Sequence, residues 1–123
     1  MKFAEDHNGA RYKITAYEEA GIHINEALFR HSLVLSPMEF IQEWTPETFA
    51  DLEAQHLDPF YEFKAEVILL GTGDKQIFPN ADIMRRLAKE KIGFEIMTTQ
   101  AACRTFNILM GEGRNVVAGL FIV

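Results

Sequence analysis

Apolar and polar residues alternate from Arg11 onward: Tyr12, Ile14 and Ala16 interleave with Lys13, Thr15 and Tyr17, and Ile22 and Ile24 follow Gly21. A period of two predicts a half-buried strand. Leu28 to Leu35 and Glu39 to Trp44 are further short β-prone runs, with Ser36-Pro37 as the break between them. Their close spacing predicts antiparallel neighbours in a meander or hairpin layer. Thr45-Pro46-Glu47 reads as a helix start, with Thr as N-cap and Pro in the first turn. Phe49 and Leu52 give that helix an apolar face to about His56, and Asp58-Pro59 is expected to stop it.

The grammar changes at Lys64. Glu66 to Leu70 is an almost uninterrupted apolar run ending at Gly71, as suits a strand covered on both faces. Asn80 caps a predicted helix in which Ile83, Met84, Leu87, Ala88 and Ile92 recur at three- and four-residue spacing, with Gly93 as its left-handed stop. Phe94 to Met97 is the second strand. Thr98 or Thr99 caps a second helix with Ala102, Phe106, Leu109 and Met110 inward, closed by Gly111 and Gly113. Val116 to Val123 is a final buried strand. Such crossovers imply parallel pairing of right-handed β-α-β units. The expected fold is α/β: residues 1–123 as a single three-layer domain, with a mixed, mainly parallel central sheet from the β-α-β-α-β C-terminal half and an antiparallel β layer from the N-terminal half.

Composition sharpens this picture without adding chemistry. A hydrophobic fraction of 48% with ten Phe is enough for a core in 123 residues, which bury roughly two-thirds of the unfolded chain's surface. The lone cysteine cannot form an internal disulfide. Residues 1–9 hold no apolar signal segment, and the apolar runs are too short to cross a bilayer, so a cytoplasmic location with no membrane span is expected. Charge is lopsided: residues 1–63 carry twelve acids and four bases, residues 64–123 six acids and eight bases. An acidic first half disfavours nucleic acid. It reads either as ordinary solubilising charge or as an acidic docking surface.

Ligands of open α/β sheets gather beyond the carboxyl ends of the strands. Here those ends are Gly71-Thr72-Gly73-Asp74 and Met97-Thr98-Thr99-Gln100, the second opening a helix whose N–H groups suit a small anion or carboxylate. Gly-Thr-Gly has neither the Walker nor the dinucleotide spacing, and the glycines equally serve a tight turn. Arg104 lies one turn into that helix, able to reach an anion there or to sit as surface charge. Asn107 borders the apolar stripe, where a buried amide ties backbone together. Cys103 reads as a packed thiol, since His7, His23, His31 and His56 all fall in the other half. No histidine, cysteine or carboxylate spacing matches a metal site or an acid–base pair, so neither a metal nor a cofactor is expected.

Gly71-Thr72-Gly73 followed by Phe78-Pro79, Gly93 to Thr99, Ala101 to Leu109 and Glu112-Gly113-Arg114 closely resemble the Mth938-like domain family, and Trp44-Thr45-Pro46 fits it too. Its animal members include a mitochondrial complex I assembly factor and an adipogenesis-associated protein. The resemblance implies a three-layer α/β fold, no established reaction, and a site around Gly71, Thr72, Gly73, Thr98, Thr99, Arg104 and Asn107. It also implies work through protein partners in respiratory-complex assembly. The second class of function is a small-anion binder, or an enzyme, using the strand-end pocket.

Overall fold

A computed structural model of the chain describes residues 9–122; His7 and Val123 lie outside the described residues. Strands β1 (Ile14–Glu18), β2 (Gly21–Ile24) and β3 (Ala27–Phe29) pair antiparallel as a small sheet of their own. Asn25 turns the second hairpin with a left-handed φ of 55°. Strands β4 (Leu33–Leu35), β5 (Phe40–Ile41), β6 (Val67–Gly71), β7 (Gly93–Met97) and β8 (Val116–Leu120) form a second sheet in the order β5-β4-β8-β6-β7. β6 runs parallel to both β7 and β8, while β4 is antiparallel to β5 and β8.

Side-chain alternation along these strands sorts the core into two layers around the second sheet. On one face Leu69, Val116, Ala118 and Leu120 meet Ile14, Ile22 and Ile24 of the small sheet and Ala102, Phe106 and Met110 of helix α3 (Thr99–Gly111). On the other, Ile68, Leu70, Ile96 and Val117 meet Trp44, Leu57, Phe60, Ile83 and Leu87, carried by the segment around helices α1 (Asp58–Glu62) and α2 (Ala81–Lys89). That is the expected three-layer α/β arrangement. Leu69 and Ile96 are buried in neighbouring parallel strands, as the apolar runs predict. Gly119 makes the second layer possible: a Cβ there would lie 2.7 Å from the Trp44 ring and 2.8 Å from Phe60.

Several expectations need correction. The run Leu28 to Leu35 is two strands in different sheets. Leu33, Val34 and Leu35 are all buried because β4 lies inside the second sheet, covered on both faces, so the N-terminal half contributes to the central sheet as well as to a separate layer. Glu39 to Trp44 shortens to β5, after which Trp44 turns inward, its N–H on Ser32 O at 2.9 Å and its indole Nε1–H on His56 O at 3.1 Å. Thr45-Pro46-Glu47 starts no helix. Thr48 instead opens a 3-10 turn over Phe49–Asp51, a second spans Ala54–Leu57, and Asp58-Pro59 begins α1 instead of ending a helix. Proline lacks an N–H that the first turn would leave unpaired, so it favours a start as readily as a stop. Finally, Gly93 is the first residue of β7; the left-handed residue after α2 is Lys91, φ 58°. Ala88, expected inward on α2, is exposed.

Candidate functional site

The two strand ends lie side by side, because β6 and β7 are parallel and in register from Val67↔Gly93 to Gly71↔Met97. Five of the seven candidate residues meet there, and their polar groups are spent on one another and on the neighbouring backbone. Thr99 N–H donates to Gly73 O at 2.8 Å, and Gly73 N–H donates to Thr99 Oγ1 at 2.8 Å. The Thr99 hydroxyl donates in turn to Phe121 O at 2.6 Å. Thr72 N–H binds Met97 O at 2.9 Å, and Thr98 Oγ1 caps α3 by accepting from Ala101 N–H at 3.3 Å. Thr72 is 5% exposed and Thr99 is fully buried. Gly71 fits only without a side chain, since its Cβ would come within 2.9 Å of the Thr99 Cα. A buried polar cluster with its bonds made is a rigid fastening.

The fastening has a product. The Thr72 hydroxyl donates to Lys75 O at 2.5 Å and accepts from Ile77 N–H at 3.3 Å, and Gln76 Nε2 donates to Ile96 O at 2.8 Å. Asn80, at the far end of the loop, caps α2 through Ile83 N–H at 3.0 Å. Loop 72–80 is therefore held at both ends and in its middle. It presents Ile77 and Phe78 to solvent at 48% and 65% exposure. Beside them a groove of about 300 Å³ runs between Phe49, Leu52, Pro79 and Ile83. The only signal for this in the sequence is an apolar pair inside a polar turn, without periodicity, and Phe78-Pro79 enters the sequence reading through the family resemblance alone.

Arg104 and Asn107 belong to a different place. They line a groove of about 470 Å³ between β1 and α3, with Ile14, Tyr17, Cys103 and Ile108. Asn107 acts there as a substitute strand. Its Oδ1 accepts from Ile14 N–H at 3.1 Å and its Nδ2 donates to Ile14 O at 2.5 Å, joining β1 to α3. The Arg104 side chain is exposed on the groove wall. Cys103 is 3% exposed, and burial pushes its thiol from 9.0 up to about 12, Arg104 pulling the other way. Burial also raises Tyr17, helped by Cys103, Asp74 and Glu19. A thiol so far above neutral is a poor nucleophile. His23 meets Glu18 at 2.6 Å, and His56 Nδ1 accepts from Glu53 N–H at 2.9 Å. Among the described residues no group of three or more His, Cys, Asp or Glu is placed to hold a metal.

The chain matches, over residues 14–121, the family described as protein of unknown function (DUF498/DUF598). It is 32% identical over 94 residues to a Francisella tularensis protein named 13 kDa major membrane protein, covering 76% of each chain. It is 34% identical over 110 residues to a zebrafish (Danio rerio) protein named NADH dehydrogenase [ubiquinone] 1 alpha subcomplex assembly factor 3. That match covers 87% of this chain but 62% of the zebrafish protein, so the chain spans less than two-thirds of that relative. A solution structure of a Mth938-like domain from Bordetella pertussis superposes with a TM-score of 0.80 at 31% identity, covering 99% of this chain and 92% of that one. Among the described residues no helix is long and apolar enough to cross a membrane.

Proposed function

Because this chain belongs to the DUF498/DUF598 family of proteins of unknown function, we infer that it works by binding protein partners, as an assembly factor for a respiratory NADH dehydrogenase. The observation that carries this reading is the likeness, over 87% of the chain, to a protein named as an assembly factor of that enzyme. The site geometry agrees with it. Thr99 fastens Gly73 and the Phe121 carbonyl, Thr98 caps α3 and Thr72 sets the loop, all of them positioning roles. Arg104 stands apart on the β1–α3 groove, so the anion-binding alternative keeps a charge without the threonine donors expected beside it.

The test is affinity purification of the tagged chain from the cells that make it, followed by immunodetection of NADH dehydrogenase subunits, together with deletion of its gene. Co-purifying subunits and a loss of assembled enzyme on a native gel are expected. Normal levels of assembled enzyme in the deletion strain, with no subunit retained, would overturn the reading.

A further inference from the structure

We propose that the Ile77–Phe78 loop and the groove beside it form a docking surface for a protein segment that carries an apolar anchor side chain flanked by lysine or arginine. This deepens the assembly-factor reading and rests on it for the kind of partner. Three observations support it.

The first is the exposure of two large apolar side chains next to each other, with Phe49, Leu52, Pro79 and Ile83 continuing the apolar lining into a concave groove. Exposed apolar residues scattered singly need no explanation, but a contiguous patch with a groove does. The second is rigidity. The loop is fixed by Thr72, Gln76 and Asn80 before any partner arrives, so little loop ordering remains to oppose binding.

The third observation is charge, and it names the occupant. One bank of the groove is built by the segment containing Phe49 and Leu52. From His31 to Phe63 the chain has seven acidic residues and no lysine or arginine. All seven are exposed; Asp51 stands between the groove-lining Ala50 and Leu52, and Glu53 follows Leu52 directly. On the loop itself the exposed Asp74 and Lys75 offset one another, and the arginines on α2 are engaged, Arg85 with Asp82 and Arg86 with Asp58. A negative bank beside an apolar groove selects a basic-flanked anchor and steers its approach. It repels an anionic lipid surface. A second copy of this chain docking by the same face sets this acidic bank against itself.

The experiment is selection of a random peptide library displayed on phage against the wild-type protein, with affinities of the enriched peptides measured for three proteins. Enrichment of peptides with Leu, Phe or Trp between Lys or Arg residues is expected. Phe78→Ser should weaken them about thirtyfold or more, as removal of a central anchor does. Glu53→Gln should weaken them a few-fold and reduce their salt dependence. Both variants should keep the wild-type circular dichroism, because these side chains are exposed.

Enrichment of acidic or uncharged peptides, binding indifferent to Phe78→Ser, or no enrichment at all would overturn the proposal. So would Phe78-dependent sedimentation with phosphatidylserine vesicles, or a Phe78-dependent dimer in analytical ultracentrifugation. The two readings fail separately. If wild type and Phe78→Ser retain NADH dehydrogenase subunits equally, the surface is wrong and the assembly role stands. If wild type retains none, the role is wrong while the peptide selection still decides the surface.

Discussion

Between Lys64 and Ile122, strands of five residues alternate with helices of nine and thirteen. Between Ala10 and Phe63 no strand or helix exceeds five residues, and most are strands or 3-10 turns of two to four. Both regions supply strands to the same sheet, yet they are stabilised differently. The later region carries its instructions locally, in apolar runs, caps and a helical period. The earlier one is held by single contacts that span long stretches of chain. Trp44 packs against Phe60 and Phe121 at ring-centroid distances of 5.8 and 5.0 Å, and the Ser32 hydroxyl bonds Pro46 O at 2.6 Å. Asn107 fastens Ile14 from the far side of the molecule. Irregular backbone is as well ordered as regular backbone when a few buried side chains satisfy its polar groups.

The comparison can be broken most forcefully at its aromatic clasp. Trp44→Ala should cost ~3–5 kcal/mol, as buried aromatic truncations do, and Leu69→Ala ~2–5 kcal/mol. If the two regions are one cooperative unit, both variants shift a single urea transition seen identically by tyrosine fluorescence and circular dichroism, Trp44 being the chain's one tryptophan. A second transition in Trp44→Ala alone would mean that the earlier region unfolds by itself.

Hydrogen-bond deletions sharpen the contrast at a smaller scale. Thr99→Val leaves Gly73 N–H and Phe121 O without a partner at the buried strand ends, which should cost ~1–3 kcal/mol. Asn107→Leu removes both bonds to Ile14 at a half-buried position and should cost less, ~1–2 kcal/mol. Native-state hydrogen exchange should show β1 amides losing protection selectively in Asn107→Leu. Uniform loss across all strands would contradict β1 being held from outside its own sheet.

The smallest expected effect is a pH dependence at the boundary between the regions, where Cys103 packs against Ile14 and its neighbours. Below about pH 9 the thiol is protonated whether the chain is folded or not, and pH has no leverage on it. Above that the unfolded chain releases a proton which the folded one retains up to about pH 12. Stability therefore falls as pH rises through that window, by about 1.4 kcal/mol per pH unit at most. Comparing urea midpoints of wild type and Cys103→Ala from pH 8 to 10 isolates this contribution. Tyr17 and Tyr61, also raised by burial, should leave a residual slope in the variant. Parallel pH profiles for the two proteins would show that the thiol is solvated.

What was legible in the sequence follows the same division. The runs Glu66 to Leu70 and Phe94 to Met97, and the caps at Asn80 and Thr98, are local signals, and the structure keeps them within a residue or so. The place of Leu33–Leu35 beside β8 is set by a partner more than eighty residues away, which no local pattern reports. Pro59 carries the same preference whether a helix is ending before it or beginning at it. At the candidate site, the adjacency of Thr72 and Thr99 follows from parallel strands, but nothing in a list of donors says that each already has its acceptor. Arg104 shares a helix with Thr99, yet helical rotation turns it toward β1. The exposed pair Ile77-Phe78 is invisible to periodicity because it stands outside every element.

Strand β8 is the last element in chain order and the middle one in space, pairing with β4 on one side and β6 on the other. On a ribosome, the β4-β5 hairpin and the β6-α2-β7 unit are thus both made before the strand that joins them exists. Each faces solvent with an unpaired, apolar strand edge for the time that α3 and β8 take to be synthesised. Such edges recruit other strands. Nascent chains stalled just short of Val116 should accordingly be the form that associates with holdase chaperones and aggregates. Release should come abruptly, when five residues supply both missing ladders at once.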